Sequence, residues 1–350
     1  MKLYVMQLLL MTISLSVIAQ NKDELVEKDY FGHRLDWLAE ADKAKPVLVH
    51  QEIVPLQLIR LEKDSSSFQG WKAVQVGPVD SFYSRGMKEQ KQVVIDFGKH
   101  YTGFVTVHIA PYKKTPDAPI RLKFTFGEVP SEVAVAFDPY PGGLSRAWLQ
   151  DEVVIVSEVP AIIQIPRRLA FRYVKIELMG TGVGFDFKIS QLNLLASTSV
   201  TAQPDSLKAG TSPLLKSIDS IGLNTLKECM QTVFEDGPKR DRRLWVGDMY
   251  LESLANGQSF KQQALTKRYL FLFAALVNKD GYLHGSVFES PTPHEQVGNL
   301  LWDYALLYNV ALRNYFEATG DIATAQSLWP VAKRQLDTGS QPNELSSFEM

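Results

Sequence analysis

Between about residues 45 and 200 the apolar positions recur with a period of two. In Arg121-Leu122-Lys123-Phe124-Thr125-Phe126 the even positions are apolar and the odd ones polar. Val105, Val107 and Ile109 alternate with Phe104, Thr106 and His108, and Val174, Ile176 and Leu178 with Tyr173, Lys175 and Glu177. Phe185, Phe187 and Ile189 continue the pattern. Such runs are half-buried strands, because successive side chains in a strand face opposite sides. Turn residues separate them at Gly70, Gly77-Pro78, Gly98, Pro116-Asp117, Pro139 to Gly143 and Gly180 to Gly184. Many short strands with no helical period between them predict a β-sandwich of the jelly-roll kind.

After about residue 205 the period becomes 3.6. Leu214, Leu215, Ile218, Ile221, Leu226, Met230 and Val233 form one stripe after Ser212-Pro213, a good N-cap and first-turn pair. Further helices are predicted at about 247–257, 259–277, 296–318 and 321–337. The fourth carries Leu300, Leu301, Tyr304, Leu307, Tyr308, Ala311, Leu312 and Tyr315 on its buried side and stops at Gly320; the fifth starts at Asp321. Gln203-Pro204-Asp205 to Gly210 reads as a linker.

The first residues, MKLYVMQLLLMTISLSVIAQ, place Lys2 ahead of an apolar run ending at Ala19. This is the pattern of a secretory signal peptide. No cysteine sits there to carry a lipid, and no other segment is long and apolar enough to span a membrane. The single cysteine, Cys229, allows no intrachain disulfide. Export without disulfides points to a bacterial periplasm or exterior. The expected organisation is a signal peptide over 1–19, a leader over 20–45, a β-sandwich over 46–203 and a helical domain over 204–350. Lys+Arg 37 against Asp+Glu 39 gives a net charge of -2, which argues against a nucleic-acid partner.

The densest chemistry lies between two predicted helices, from Glu235 to Asp248. Asp236, Asp241 and Asp248 share this stretch with Arg240, Arg242, Arg243 and Trp245. Gly237-Pro238 makes it a loop. One reading is a solvated cluster of mutual ion pairs. The other is a sugar site: glycoside hydrolysis needs one carboxylic acid for the leaving oxygen and one carboxylate for water or carbon. Arginines orient carboxylates, and an indole face stacks on a pyranose. Elsewhere His284 and His294 are ten residues apart, which is not a metal-ligand spacing. Gly180-x-Gly182-x-Gly184 lies between strands and is a turn, not a phosphate loop. His100 and His108 read as structural, Cys229 as core, and there is no Gly-x-Ser-x-Gly elbow of the esterase kind.

The run Asp236-Gly237-Pro238-Lys239-Arg240-Asp241-Arg242-Arg243-Leu244-Trp245-Val246-Gly247-Asp248 resembles the signature of the α-L-rhamnosidases of glycoside hydrolase family 78. Val93 to Gly103, Phe126-Gly127-Glu128, Phe171 to Ile176, Trp302-Asp303-Tyr304-Ala305 and Trp329-Pro330 to Asp337 match further motifs of that family in order. The resemblance implies a β-sandwich followed by an (α/α)6 barrel, hydrolysis of terminal α-L-rhamnosides with inversion, a rhamnose-containing glycan as substrate and no metal or organic cofactor for the chemistry. The family carries a Glu after Arg-Asp as its presumed general acid. Here Arg242 stands there, and the run to Trp245 is one residue shorter, so no Glu replaces it. The nearest acid is then Asp241, followed by Asp248 and Asp236. Arg240, Arg242 and Trp245 would contact the sugar, with Trp302 as a stacking platform and Asp303 as a hydroxyl acceptor. Twelve barrel helices need roughly 240 residues, and 146 follow from Asp205. The expectation is therefore the first part of the barrel, with the family's general-base Glu beyond Met350. A non-catalytic carbohydrate-binding protein is the alternative.

Overall fold

The computed structural model describes residues 32–113 and 119–338. The run read as a signal peptide lies outside them. The chain divides into a β region and a helical region, as the change of period predicts.

Nine strands form one antiparallel sheet: β1 (Val49–Ile53), β2 (Gln57–Lys63), β3 (Trp71–Gly77), β4 (Gln92–Tyr112), β5 (Ile120–Gly127), β6 (Asp151–Val156), β7 (Ala161–Gln164), β8 (Leu169–Gly180) and β9 (Asp186–Thr198). The 21-residue β4 organises it. The Gln92–Asp96 end of β4 pairs with β8, and its Gly103–Tyr112 end pairs with β9, with an irregularity between Asp96 and Tyr101. A strand shared this way lets a sheet fold over itself, with bulges making the corner. The inward positions of both parts fill one core: Val105, Val107 and Ile109 of β4, Leu122, Phe124 and Phe126 of β5, Val174 and Ile176 of β8, Phe187 and Ile189 of β9. Phe171 meets Phe97 edge-on at 5.2 Å and Phe126 at 4.9 Å between centroids. The alternation read from sequence is the alternation of burial. Gly180 to Gly184 connects β8 to β9, as its turn composition requires.

Six longer helices surround the second core: α1 (Arg34–Lys43), α2 (Pro213–Cys229), α3 (Val246–Gln258), α4 (Gln263–Ala275), α5 (Trp302–Thr319) and α6 (Ile322–Thr338). Their ends follow the sequence signals. Ser212 Oγ accepts from the Leu215 amide, Gly320 closes α5 in the left-handed region at φ 68, and Asp321 Oδ1 accepts from the Thr324 amide at 3.0 Å. Helix α4 is apolar on nearly every side, which requires cover all round. Part of that cover is α1. Residues 20–45 read as a leader or an extra strand; within them Arg34–Lys43 is a helix that packs on α4 through Trp37 and Ala41. The Trp37 indole also donates to Ser327 Oγ at 2.9 Å.

The apolar stripe of α2 is only half buried. Leu226, Met230 and Val233 join the helical core, but Leu214 is 70% and Ile221 65% exposed, with Leu215 and Ile218 similar. The 3.6 period predicts the helix correctly. It does not supply a partner for the first two turns, and none is present among the described residues. The described helices form part of a toroid, not a closed one.

Near the end of α2, Glu228 is 3% exposed and its Oε2 has no hydrogen-bond partner. Burial pushes its carboxyl up from 4.5 to about 7, with the charge of His100 opposing. The folded state therefore holds this proton more tightly than the unfolded chain does. Stability falls as pH rises from the unfolded value through 7. Glu228→Gln is expected to be the more stable protein by about 3 kcal/mol at pH 8, with most of that gain absent at pH 5. Urea midpoints at the two pH values check this; an equal difference at both would contradict it.

Candidate active site

The loop between α2 and α3 is a tight hairpin folded around one carboxylate. Asp236 Oδ1 accepts from the amides of Asp241 at 3.1 Å and Arg243 at 3.0 Å, and the Asp236 amide donates to Arg243 O at 3.0 Å. Gly237 is required by this packing: a Cβ there would lie 2.5 Å from Arg240 O. Leu244–Trp245 (β10) then pairs with Ser286–Phe288 (β11), itself paired with His294–Glu295 (β12), and Val246 starts α3.

Asp241 sits at the turn, 18% exposed, 3.6 Å from both Arg240 Nε and Arg243 Nη1. Arg243 also stacks over Phe288, 5.1 Å from its centroid. Asp248, in the first turn of α3, is pushed up from the usual carboxylate range, first by burial and then by the charge of Asp236. Tyr304 of α5 donates to Asp248 and meets Trp245 edge-on at 6.4 Å. Gly247 makes that approach possible, since a Cβ there would lie 2.5 Å from the Tyr304 ring. Asp303, exposed in the first turn of α5, acts with Asp248 and Asp236 on the Tyr304 hydroxyl, whose proton is held mainly by burial. Trp302 opens the same helix, half-buried. Asp236, Asp241, Asp248, Arg240 and Trp245, with the start of α5, therefore belong to one neighbourhood.

Arg242 departs from the sequence reading. Expected on a sugar, it directs Nε to Pro238 O at 2.8 Å and Nη2 to Arg168 O at 2.7 Å. Its guanidinium faces the sandwich, and its backbone adopts φ 63, a left-handed conformation. Burial first, and the charge of Arg168 next, lower its proton affinity to about 10. Asp236 also has a role the sequence did not show, as the acceptor that closes the loop.

Two site residues were missed. Tyr304 was assigned to the buried side of its helix, yet its hydroxyl reaches Asp248. Glu252 follows Asp248 by four residues on α3, and helical geometry places both on one face. Its Oε2 is buried without a partner. Burial, then the charges of Asp248 and Asp236, hold its carboxyl well above the usual range. Several carboxyls thus share this neighbourhood, and burial and mutual charge raise at least two of them, Asp248 and Glu252, above their ordinary range. That is a condition for general-acid work near neutrality. The histidines of the next loop stand apart: His294 Nδ1 meets Thr292 O at 2.7 Å and His284 is buried. A cleft of about 930 Å³ between the sandwich and α2 is lined by none of the predicted site residues.

A sandwich followed by helical hairpins, with clustered carboxyls and aromatic rings on the loop between α2 and α3, matches the start of the six-hairpin glycosidase architecture. Comparison with known proteins makes this specific. The family described as glycosyl hydrolase family 78 alpha-rhamnosidase N-terminal domain matches residues 55–196, and the bacterial alpha-L-rhamnosidase 6 hairpin glycosidase domain matches residues 209–347. A rhamnosidase from Klebsiella oxytoca, solved with rhamnose bound, is 38% identical over 87% of this chain, with a TM-score of 0.84. The chain spans 59% of that enzyme. A family 78 rhamnosidase of Bacillus sp. GL1 is 24% identical over 71% of this chain and 24% of its own, with a TM-score of 0.54. The Streptomyces avermitilis α-L-rhamnosidase is 13% identical over 84% and 25%, with a TM-score of 0.55. These two share the fold. A comparison with curated proteins gave no match. The chain belongs to glycoside hydrolase family 78, the α-L-rhamnosidases.

Proposed function

We propose that the protein is an exported glycoside hydrolase that cleaves terminal α-L-rhamnosides of polysaccharides with inversion. The observation that carries this is the Asp236–Asp248 loop, with its carboxyls and Trp245, in a chain 38% identical to a rhamnosidase that binds rhamnose. Asp241 is the acid that protonates the leaving oxygen. Its carboxyl is partly open to solvent, whereas Asp236 is committed to loop amides and Asp248 to Tyr304. Arg240 and Arg243 orient it, and Trp245, Trp302 and Asp303 offer a stacking face and a hydroxyl acceptor. The leading apolar run to Ala19 supports export.

A second reading is carbohydrate binding without turnover. It is favoured by Arg242 following Arg240-Asp241, where the family's presumed general-acid Glu is expected. Incubation with an aryl α-L-rhamnoside separates the two. The hydrolase releases aryl alcohol from the rhamnoside and not from an aryl β-glucoside. Rhamnose binding by calorimetry with no release establishes the second reading, and neither binding nor release removes both.

A further inference from the structure

The loop that carries Asp241 is held from outside by the sandwich. Arg168, at the start of β8, places Nη2 2.5 Å from Glu235 Oε1 and 2.7 Å from Oε2. The Glu235 side chain is 5% exposed and the Arg168 side chain 18%. Glu235 immediately precedes the closing carboxylate Asp236. From the other end of the hairpin, Arg242 donates to the carbonyl of the same Arg168 at 2.7 Å. At the tip, Lys239 donates to Glu128 Oε2 at 3.4 Å and to Glu132, both from the sandwich after β5. One sandwich residue thus grips the loop on both sides of the turn at Asp241, and a second contact pins the tip.

The energetics favour a working clamp. A buried carboxylate deprived of its partner is strongly destabilised, far more than an exposed pair would be. One nitrogen, Nη2, reaches both carboxylate oxygens, so the clamp depends on how far and at what angle the side chain carries that nitrogen. Arg242 sits in the left-handed region at φ 63, a conformation that persists where surroundings enforce it. Its bonds to Pro238 and Arg168, and its amide bond to Gly237 O at 3.1 Å, are what enforce it.

We propose that Arg168 is a positioning residue for Asp241, acting through Glu235 and Arg242, so that the sandwich is a working part of the active site rather than a separable sugar-binding module. The assignment of Asp241 rests on the hydrolase reading; the grip on the loop does not. Hydrogen exchange on the whole chain tests it. Arg168→Met is expected to speed exchange of the Arg242 and Arg243 amides at least tenfold while the Leu270–Ala275 amides of α4 stay unchanged. Arg168→Lys is expected to fall between. Should Arg168→Met fail to fold, Glu235→Gln, nearly isosteric, is expected to give the same pattern at about threefold. Loop amides unchanged in the folded variants would overturn the proposal. Turnover of an aryl α-L-rhamnoside by the same variants separates the ideas. A lowered kcat with unchanged KM supports positioning. Unaltered turnover with a loosened loop overturns the positioning role alone. An inactive parent chain removes the hydrolase reading, and the exchange result still decides whether Arg168 sets the loop.

Discussion

Asparagine in place of Asp241 is expected to lower kcat on an aryl α-L-rhamnoside by about a thousandfold, the scale of a lost general acid. The effect should depend on the leaving group. A phenol of high pKa needs the proton in the transition state, whereas a strongly acidic phenol departs with little help. The variant is therefore expected to lose most on the poor leaving group and much less on the good one. Asn preserves the shape of Asp and the amide bonds from residues 241 and 243 to Asp236, so the loop keeps its form. An Asp241→Asn protein with full activity would remove the acid assignment. It would shift attention to Asp248, which burial and Asp236 already bias towards its protonated form.

The second large effect concerns stability. Arg268→Met is expected to destabilise the protein by about 3–5 kcal/mol, the range for leaving one partner of a buried ion pair alone. Arg268 lies on the buried side of α4, next to Lys267, and its side chain is 4% exposed. It donates to Ala41 O of α1 at 2.6 Å, Thr232 O after α2 at 2.9 Å and Glu289 Oε2 after β11 at 2.9 Å. Three separate parts of the helical region meet on one guanidinium, and Met fills its volume without replacing any of these bonds. A fall in the urea midpoint of that size checks the expectation; a loss below about 1 kcal/mol, the level of a surface pair, would contradict it.

These two residues show how unevenly the sequence is legible. The strands of the sandwich are readable because each has one buried face, which forces a period of two. The helices from Pro213 onward are readable from the 3.6 period and from local caps at Ser212, Gly320 and Asp321, which need only neighbours in sequence. The loop from Asp236 to Asp248 is conspicuous because its carboxylates and guanidinium groups are adjacent along the chain. Arg168 and Arg268 are not conspicuous, and the partner of Glu235 is not either, because the contacting residues lie tens to hundreds of residues apart. Helix α1 was hidden for a related reason: two buried side chains, Trp37 and Ala41, in a mostly polar run leave no period to read. Arg242 was misread because its direction depends on a backbone angle that composition does not encode. The exposed start of α2 marks the opposite case, where the pattern is plain and its partner is not among the described residues.

In the proposed reading the sandwich, the loop and the helices form one site that hydrolyses an α-L-rhamnoside with inversion, water attacking the anomeric carbon from the face opposite the leaving oxygen. Following the anomeric protons by NMR as the protein acts on an aryl α-L-rhamnoside tests this most directly. β-L-Rhamnose appearing first, before mutarotation, is the predicted result. The α anomer appearing first, or rhamnose bound but never released, would contradict it.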